Sequence, residues 1–146
     1  MPEPFQATVR PDWVDYNRHL DEGYYAVIFA GATEHLLTTS LGFGHDYRTS
    51  QRATFYTVET HLRFLREVAD GATVRVESQV VGVRPDRLHL WHVMWPTDGS
   101  WQLATQEALI LHVDLPTGRV RPMPERVRTA AEALTTRPEG VELVLA

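Results

Sequence analysis

The amino-acid sequence predicts an α+β fold, a long central helix wrapped by a five-stranded antiparallel sheet. Three observations predict it. Between Glu22 and about Ser40, Tyr25, Ile28, Phe29, Ala32 and Leu36 recur at helical spacing on one face. From Ala53 the period changes to two and persists through four long segments separated by turn residues. One helix and one sheet must bury each other's apolar faces, and a strongly twisted sheet can curl around a single helix.

Residues 5–10 (FQATVR) read as a short strand closed by Pro11. A polar, aromatic loop follows from Asp12 to Leu20, and Asp21 stands where a carboxylate can cap the helix. Val27, Ala30, Leu37 and Leu41 extend apolar character around the helix, as expected of a helix enclosed by other elements. Gly31 is a costly helix residue, about 1 kcal/mol worse than Ala, which points to close approach of a strand or partner. Gly42 and Gly44 end the helix, and 45–52 read as a short loop or helical turn. The strand segments are 53–65, 73–83, 87–95 and 101–113, with turns at Asp70-Gly71, Pro85-Asp86 and Thr97-Asp98-Gly99. Tight turns between all four imply an antiparallel meander. A short amphipathic helix is expected over 125–134, and 141–145 suits either an edge strand or a disordered end. A single domain is expected over 1–146, with its core at about 5–115 and a short helix and tail over 124–146.

Composition removes several function classes. The chain has 146 residues, no cysteine, and 14 basic residues that are all arginine. Disulfides, thiolate metal sites, cysteine nucleophiles, lysine Schiff bases and Walker-type phosphate loops are therefore excluded. Arginine still offers a bidentate grip on phosphate. A net charge of −5 argues against general nucleic-acid binding. No apolar run reaches membrane-spanning length, and the N-terminus lacks a signal-peptide pattern, so a cytoplasmic location is expected. No HExxH or GxSxG occurs, and His89 and His92, three apart on a strand, point to opposite faces. No metal site is expected.

The candidate chemistry sits ahead of the helix, in WVDYNRHLDEGYYAVIF, where Asp15, Asn17 and His19 alternate. This stretch resembles the signature of the 4-hydroxybenzoyl-CoA thioesterase-like family of hotdog acyl-CoA thioesterases. Asp15, His19 and Tyr25 stand at the family's offsets; Arg18 replaces the usual Gly and Asp21 the usual Asn. FYTVETHLRFLREV and the segments to about Pro124 are also similar, nearest the betainyl-CoA thioesterase branch of carnitine breakdown.

The resemblance implies hydrolysis of a small acyl-CoA thioester without a cofactor. Asp15 would attack the carbonyl or activate water; as an isolated loop residue it would read as a turn or cap. Backbone N–H groups near Gly23, Tyr24 and Tyr25 would hold the oxyanion at the positive helix end. Asn17 would position water or the thioester oxygen, and His19 would orient the loop. Glu59 and Thr60 lie where the family's dimer contributes from the second chain, Glu59 as an acid facing substrate or as an exposed strand carboxylate. Arg63 and Arg66 would grip CoA phosphates, or form a solvated strand end. Tyr56 would line the substrate site. A betaine head is a quaternary ammonium that aromatic faces attract, and Trp13 and Tyr16 are the cage candidates. At least a homodimer, or a homotetramer, is expected, because a sheet around one helix leaves open edges. Arg18 and Asp21 favour the alternative, a non-catalytic hotdog module that binds acyl-CoA. A dehydratase is a third reading, weakened because His35 lies late in the helix beside Glu34.

Overall fold

A computed structural model describes residues 2–145. In chain order the elements are β1 (Phe5–Thr8), a 3-10 turn (Pro11–Trp13), α1 (Glu22–Ser40), α2 (His45–Gln51), β2 (Ala53–Phe64), β3 (Thr73–Arg84), β4 (Arg87–Pro96), β5 (Ala104–Asp114) and α3 (Glu125–Ala133). The five strands form one antiparallel sheet in the order β1-β3-β4-β5-β2, curled around α1, which is the hotdog arrangement.

That order corrects one expectation. Only β3, β4 and β5 form a meander; β2 pairs with β5 at the far edge instead of with β3. The Asp70-Gly71 turn does not close a hairpin. It feeds β3 in beside β1: Gly71 N–H donates to Val9 O and Val9 N–H to Ala72 O. The connection 65–72 first crosses the sheet end, where Leu65 and Arg66 N–H both donate to Leu103 O.

The concave face is apolar because alternate residues of each strand point inward. Val74, Val76, Met94 and Ala104 meet Ile28, Phe29 and Ala32 near the start of α1. Leu88, Leu90, Ala108 and Ile110 meet Leu36 and Leu37 near its end. The helix is enclosed on one side only, since Ala26, Val27 and Ala30 remain exposed. Gly31 is explained by the Phe5 ring of β1, whose Cζ lies 2.7 Å from where a Cβ would sit. Gly42, at φ +67°, ends the helix, with Phe43 N–H donating to Leu37 O.

Two buried polar clusters sit within this core. His92 is held by Ser78 Oγ at Nδ1 (2.7 Å) and Thr33 Oγ1 at Nε2 (2.9 Å). Burial pushes its pKa down to about 4. His112 Nδ1–H donates to Arg121 O (2.7 Å), which leaves Nε2 to accept from Tyr47 Oη–H (2.7 Å). His89 faces the other side of the sheet, against Glu107 (2.6 Å), as strand alternation requires. The C-terminal tail forms no edge strand. It crosses the outer sheet face, where Val144 and Leu145 N–H each donate to the buried Glu107 carboxylate (2.7 Å). Among the described residues no helix is long and apolar enough to cross a membrane.

Candidate active site

The site is built on a tight hairpin ahead of α1. Val14 bridges Leu20, Asp15 N–H donates to His19 O, and Arg18 N–H donates to Asp15 O (both 3.0 Å). A turn of this length is closed by a residue in the left-handed region. Arg18 is that residue, at φ +66°. The loop therefore has, at Arg18, the backbone conformation that glycine would adopt freely.

Asp15 is a turn residue with one carboxylate oxygen to spare. Its Oδ1 accepts from Asn17 N–H (2.8 Å) and, more weakly, from His19 N–H (3.4 Å), which fixes the carboxylate in the turn. No donor among the described residues reaches Oδ2. Asp15 is half-buried, so one oxygen is committed to the loop and the other is open.

The next chain segment to matter is 66–70, where the sequence singled out Arg66 for CoA phosphates and Asp70 for a turn, but not Glu67, Val68 or Ala69. His19 Nε2 lies 3.5 Å from Glu67 Oε2 and His19 bridges Ala69. Leu20 N–H donates to Val68 O (2.7 Å), and Asp70 N–H to Arg18 O (3.2 Å). Tyr25 Oη–H donates to Arg66 O (3.0 Å) while its ring packs edge-on against Phe64. Burial first, and the nearby Glu67 charge second, raise the Tyr25 pKa. Tyr25 is thus a strut between helix and loop, with its hydroxyl spent on the backbone. His19 likewise ties the loop to this segment, through its bridge to Ala69. Glu67 carries no readable signal of its own, because its partner lies 48 residues away in sequence.

At the helix start, Asp21 occupies the cap position, yet its side chain accepts no capping hydrogen bond. Tyr24 N–H is already given to Asp21 O (2.9 Å), so it is not a free oxyanion donor. Gly23 N–H has no acceptor among the described residues, and nothing lies within 4 Å of the place a Cβ would fill there. Room and an unspent donor coincide at Gly23, on the positive end of a 19-residue helix. Trp13 stacks on Tyr24 (5.7 Å, 18°), and the Arg10 guanidinium lies 5.7 Å from the Trp13 ring centroid. Tyr16, beside Asp15, is 94% exposed and packs on nothing in the protomer.

The strand residues lie elsewhere. Register pairs Glu59 with Leu109 and Tyr56 with Leu111 on the outer sheet face, whereas Thr60 pairs with Ala108 on the face toward α1. Within one protomer no hydrogen bond or ion pair links Tyr56, Glu59 or Thr60 to the Asp15 loop among the described residues. Arg63 and Arg66 also part company. Arg63 lines an outer-face cavity of about 490 Å3 with His61, Glu107, Glu139 and Glu142. Arg66 stacks on Trp101, 4.6 Å from the ring centroid. No cluster of three or more His, Cys, Asp or Glu side chains suits a metal among the described residues.

The family described as the thioesterase-like superfamily matches residues 9–131. A betainyl-CoA thioesterase from Pseudomonas aeruginosa is 35% identical over 97% of this chain and 92% of its own length. An L-carnitine dehydrogenase/betainyl-CoA thioesterase from Agrobacterium fabrum is 39% identical over 92% of this chain, which spans only 27% of that longer protein. A hypothetical protein from Staphylococcus aureus, solved in complex with CoA, shares the fold at a TM-score of 0.84 with 23% identity, over 98% of this chain and 94% of its own.

Proposed function

The chain belongs to the thioesterase-like superfamily and is an acyl-CoA thioesterase, and we propose from that premise that its substrate is betainyl-CoA, hydrolysed to the free acid and CoA. The observation that carries the mechanistic part of this reading is the divided Asp15 carboxylate beside the open amide of Gly23. Asp15 Oδ2 either attacks the thioester carbonyl, expelling the CoA thiolate and leaving an aspartyl–acyl anhydride that water then hydrolyses, or takes a proton from a water that attacks the carbonyl directly as the CoA thiolate leaves. The charge that develops on the carbonyl oxygen is met by Gly23 N–H and the helix dipole. Asn17 positions the water or the carbonyl.

The substrate choice draws on the relatives and on the aromatics around Asp15. A trimethylammonium group needs π faces more than hydrogen-bond donors, and the free Tyr16 ring is a suitable wall. The left-handed φ at Arg18 gives the Asp15 turn the backbone a glycine there would allow, which supports turnover over a module that only binds. A cytoplasmic location belongs to the same reading.

The active unit is a homodimer. Strand β2 has twelve residues and a whole unpaired edge, with Tyr56 and Val58 each about half exposed. Pairing two such edges satisfies their backbone groups and carries Tyr56, Glu59 and Thr60 to the boundary between the protomers. Light scattering at micromolar concentration should report a dimer or tetramer; a monomer would contradict this.

The test is thiol release from a panel of betainyl, short acyl and aromatic CoA thioesters. The reading expects betainyl-CoA to give the highest kcat/KM. Preference for an uncharged acyl group by ten-fold or more would overturn the substrate assignment and leave the hydrolase reading standing.

A further inference from the structure

The start of β2 carries an arginine in an uncommon state. Arg52 lies between α2 and β2 at φ +52°, the left-handed region that non-glycine residues rarely adopt. Its backbone is held there: Leu115 N–H donates to Arg52 O (2.9 Å), and the Arg121 guanidinium donates to the neighbouring Gln51 O (2.8 Å). Strain maintained by fixed neighbours tends to mark functional positions. Arg52, Arg48 and Thr49 line an open cavity of about 400 Å3 closed by Leu115 and Pro116. Arg48 is partly committed, 3.5 Å from Glu34 and over the Phe43 ring. Arg52 pairs with no carboxylate among the described residues.

In one protomer this cavity has no evident relation to Asp15, because β2 starts there and the Asp15 loop is tied to the segment just after β2 ends. Antiparallel pairing of two β2 edges about a twofold axis at the strand's middle reverses that. Ala53 of one protomer then lies opposite Phe64 of the other, and Arg52 opposite Leu65, roughly 5 Å apart across the pair. The Asp15 loop, stitched to residues 67–70, is level with the cavity of the other chain.

Resting on the acyl-CoA and dimer reading above, we infer that the phosphates of the CoA substrate are held by the partner subunit's Arg52, with the partner subunit's Arg48 beside it. Each site is then composite, with the chemistry from one chain and the phosphate grip from the other. The chain has only arginine for this task. Arg63 faces a cavity bearing the Glu107, Glu139 and Glu142 carboxylates, which repel phosphate, and Arg66 stacks on Trp101; Arg52 has neither a facing carboxylate nor a ring on it among the described residues.

The test variant is Arg52→Gly, which removes the guanidinium and suits the positive φ, so the fold is kept; Arg52→Asn, also tolerant of that region, is the second. Both should raise KM for the acyl-CoA roughly ten-fold or more with kcat little changed, as loss of a charge-assisted contact predicts. The same acyl group on N-acetylcysteamine, which has no phosphate, should be turned over equally by variant and parent. Calorimetry with CoA itself should show the same loss of affinity without depending on turnover. Mixed dimers of Asp15→Asn and Arg52→Gly chains should regain low-KM activity, since one of their two sites draws both native residues. An unchanged KM and CoA affinity, an equal defect with N-acetylcysteamine thioesters, or no recovery in mixed dimers would each overturn the inference. Failure of the parent to hydrolyse any CoA thioester would instead remove the hydrolase reading, with the CoA titration still deciding the role of Arg52.

Discussion

Acid should unfold this protein through His92. The ring is fully buried beneath Phe29, with both nitrogens bonded to hydroxyls, Ser78 at 2.7 Å and Thr33 at 2.9 Å. Hydroxyls can accept from either nitrogen, so the hydrogen bonds do not themselves forbid the imidazolium; burial does. The folded pKa is about 4, against 6.5 for the free group. Between those values the unfolded chain binds a proton that the folded chain refuses, so stability falls as pH falls. At 1.36 kcal/mol per unit, the loss is about 2 kcal/mol by pH 5 and about 3 kcal/mol across the window. His112, also lowered, chiefly by burial, adds to the slope. The assay is urea unfolding at fixed protein concentration from pH 7 to 5, for the parent and for His92→Gln. The variant should be less stable at pH 7 and lose about 2 kcal/mol less on acidification. Parallel pH profiles for the two proteins would refute the argument.

Further expectations concern the loop and helix. Arg18→Gly should leave stability unchanged or raise it by up to about 1 kcal/mol, because relief of the φ +66° strain is partly offset by glycine entropy. Chemical denaturation checks this, and a loss above about 1 kcal/mol would mean the side chain makes contacts the structure lacks. Gly31→Ala should cost about 1–3 kcal/mol by driving a methyl into the Phe5 ring, and Phe5→Leu in the same chain should recover part of it. Tyr25→Phe removes the hydrogen bond to Arg66 O and keeps the ring packing. It should cost about 1 kcal/mol and leave activity on thioesters largely intact. A collapse of kcat at full stability would reassign Tyr25 from strut to catalytic group.

The local features were legible because their causes are local. Helical spacing from Tyr25 to Leu36 and the alternation of Val74, Val76 and Val80 set the elements to within a residue or two. Pairing was not legible at Asp70-Gly71, because a turn signal fixes chain reversal and says nothing about which strand lies alongside. The Asp15 loop was found through its sequence pattern, but its supports were not. Val68 O, Glu67 and Arg66 O act across the fold, and nothing in their neighbourhood announces that. Tyr24 was read as an oxyanion donor from helix position alone, and a backbone bond to Asp21 O removed it. The tail was left open between strand and disorder because its docking depends on a single buried carboxylate, Glu107, 37 residues upstream of Val144.

The decisive comparison is hydrolysis of betainyl-CoA by the parent and by Asp15→Asn. Asparagine keeps the Oδ1 acceptor that Asn17 and His19 amides need, and so preserves the turn that alanine would break. With stability within about 1 kcal/mol of the parent, kcat should fall by about 10²–10⁴-fold. A fully folded Asp15→Asn protein that retains parental kcat would contradict the assignment of the chemistry to this loop.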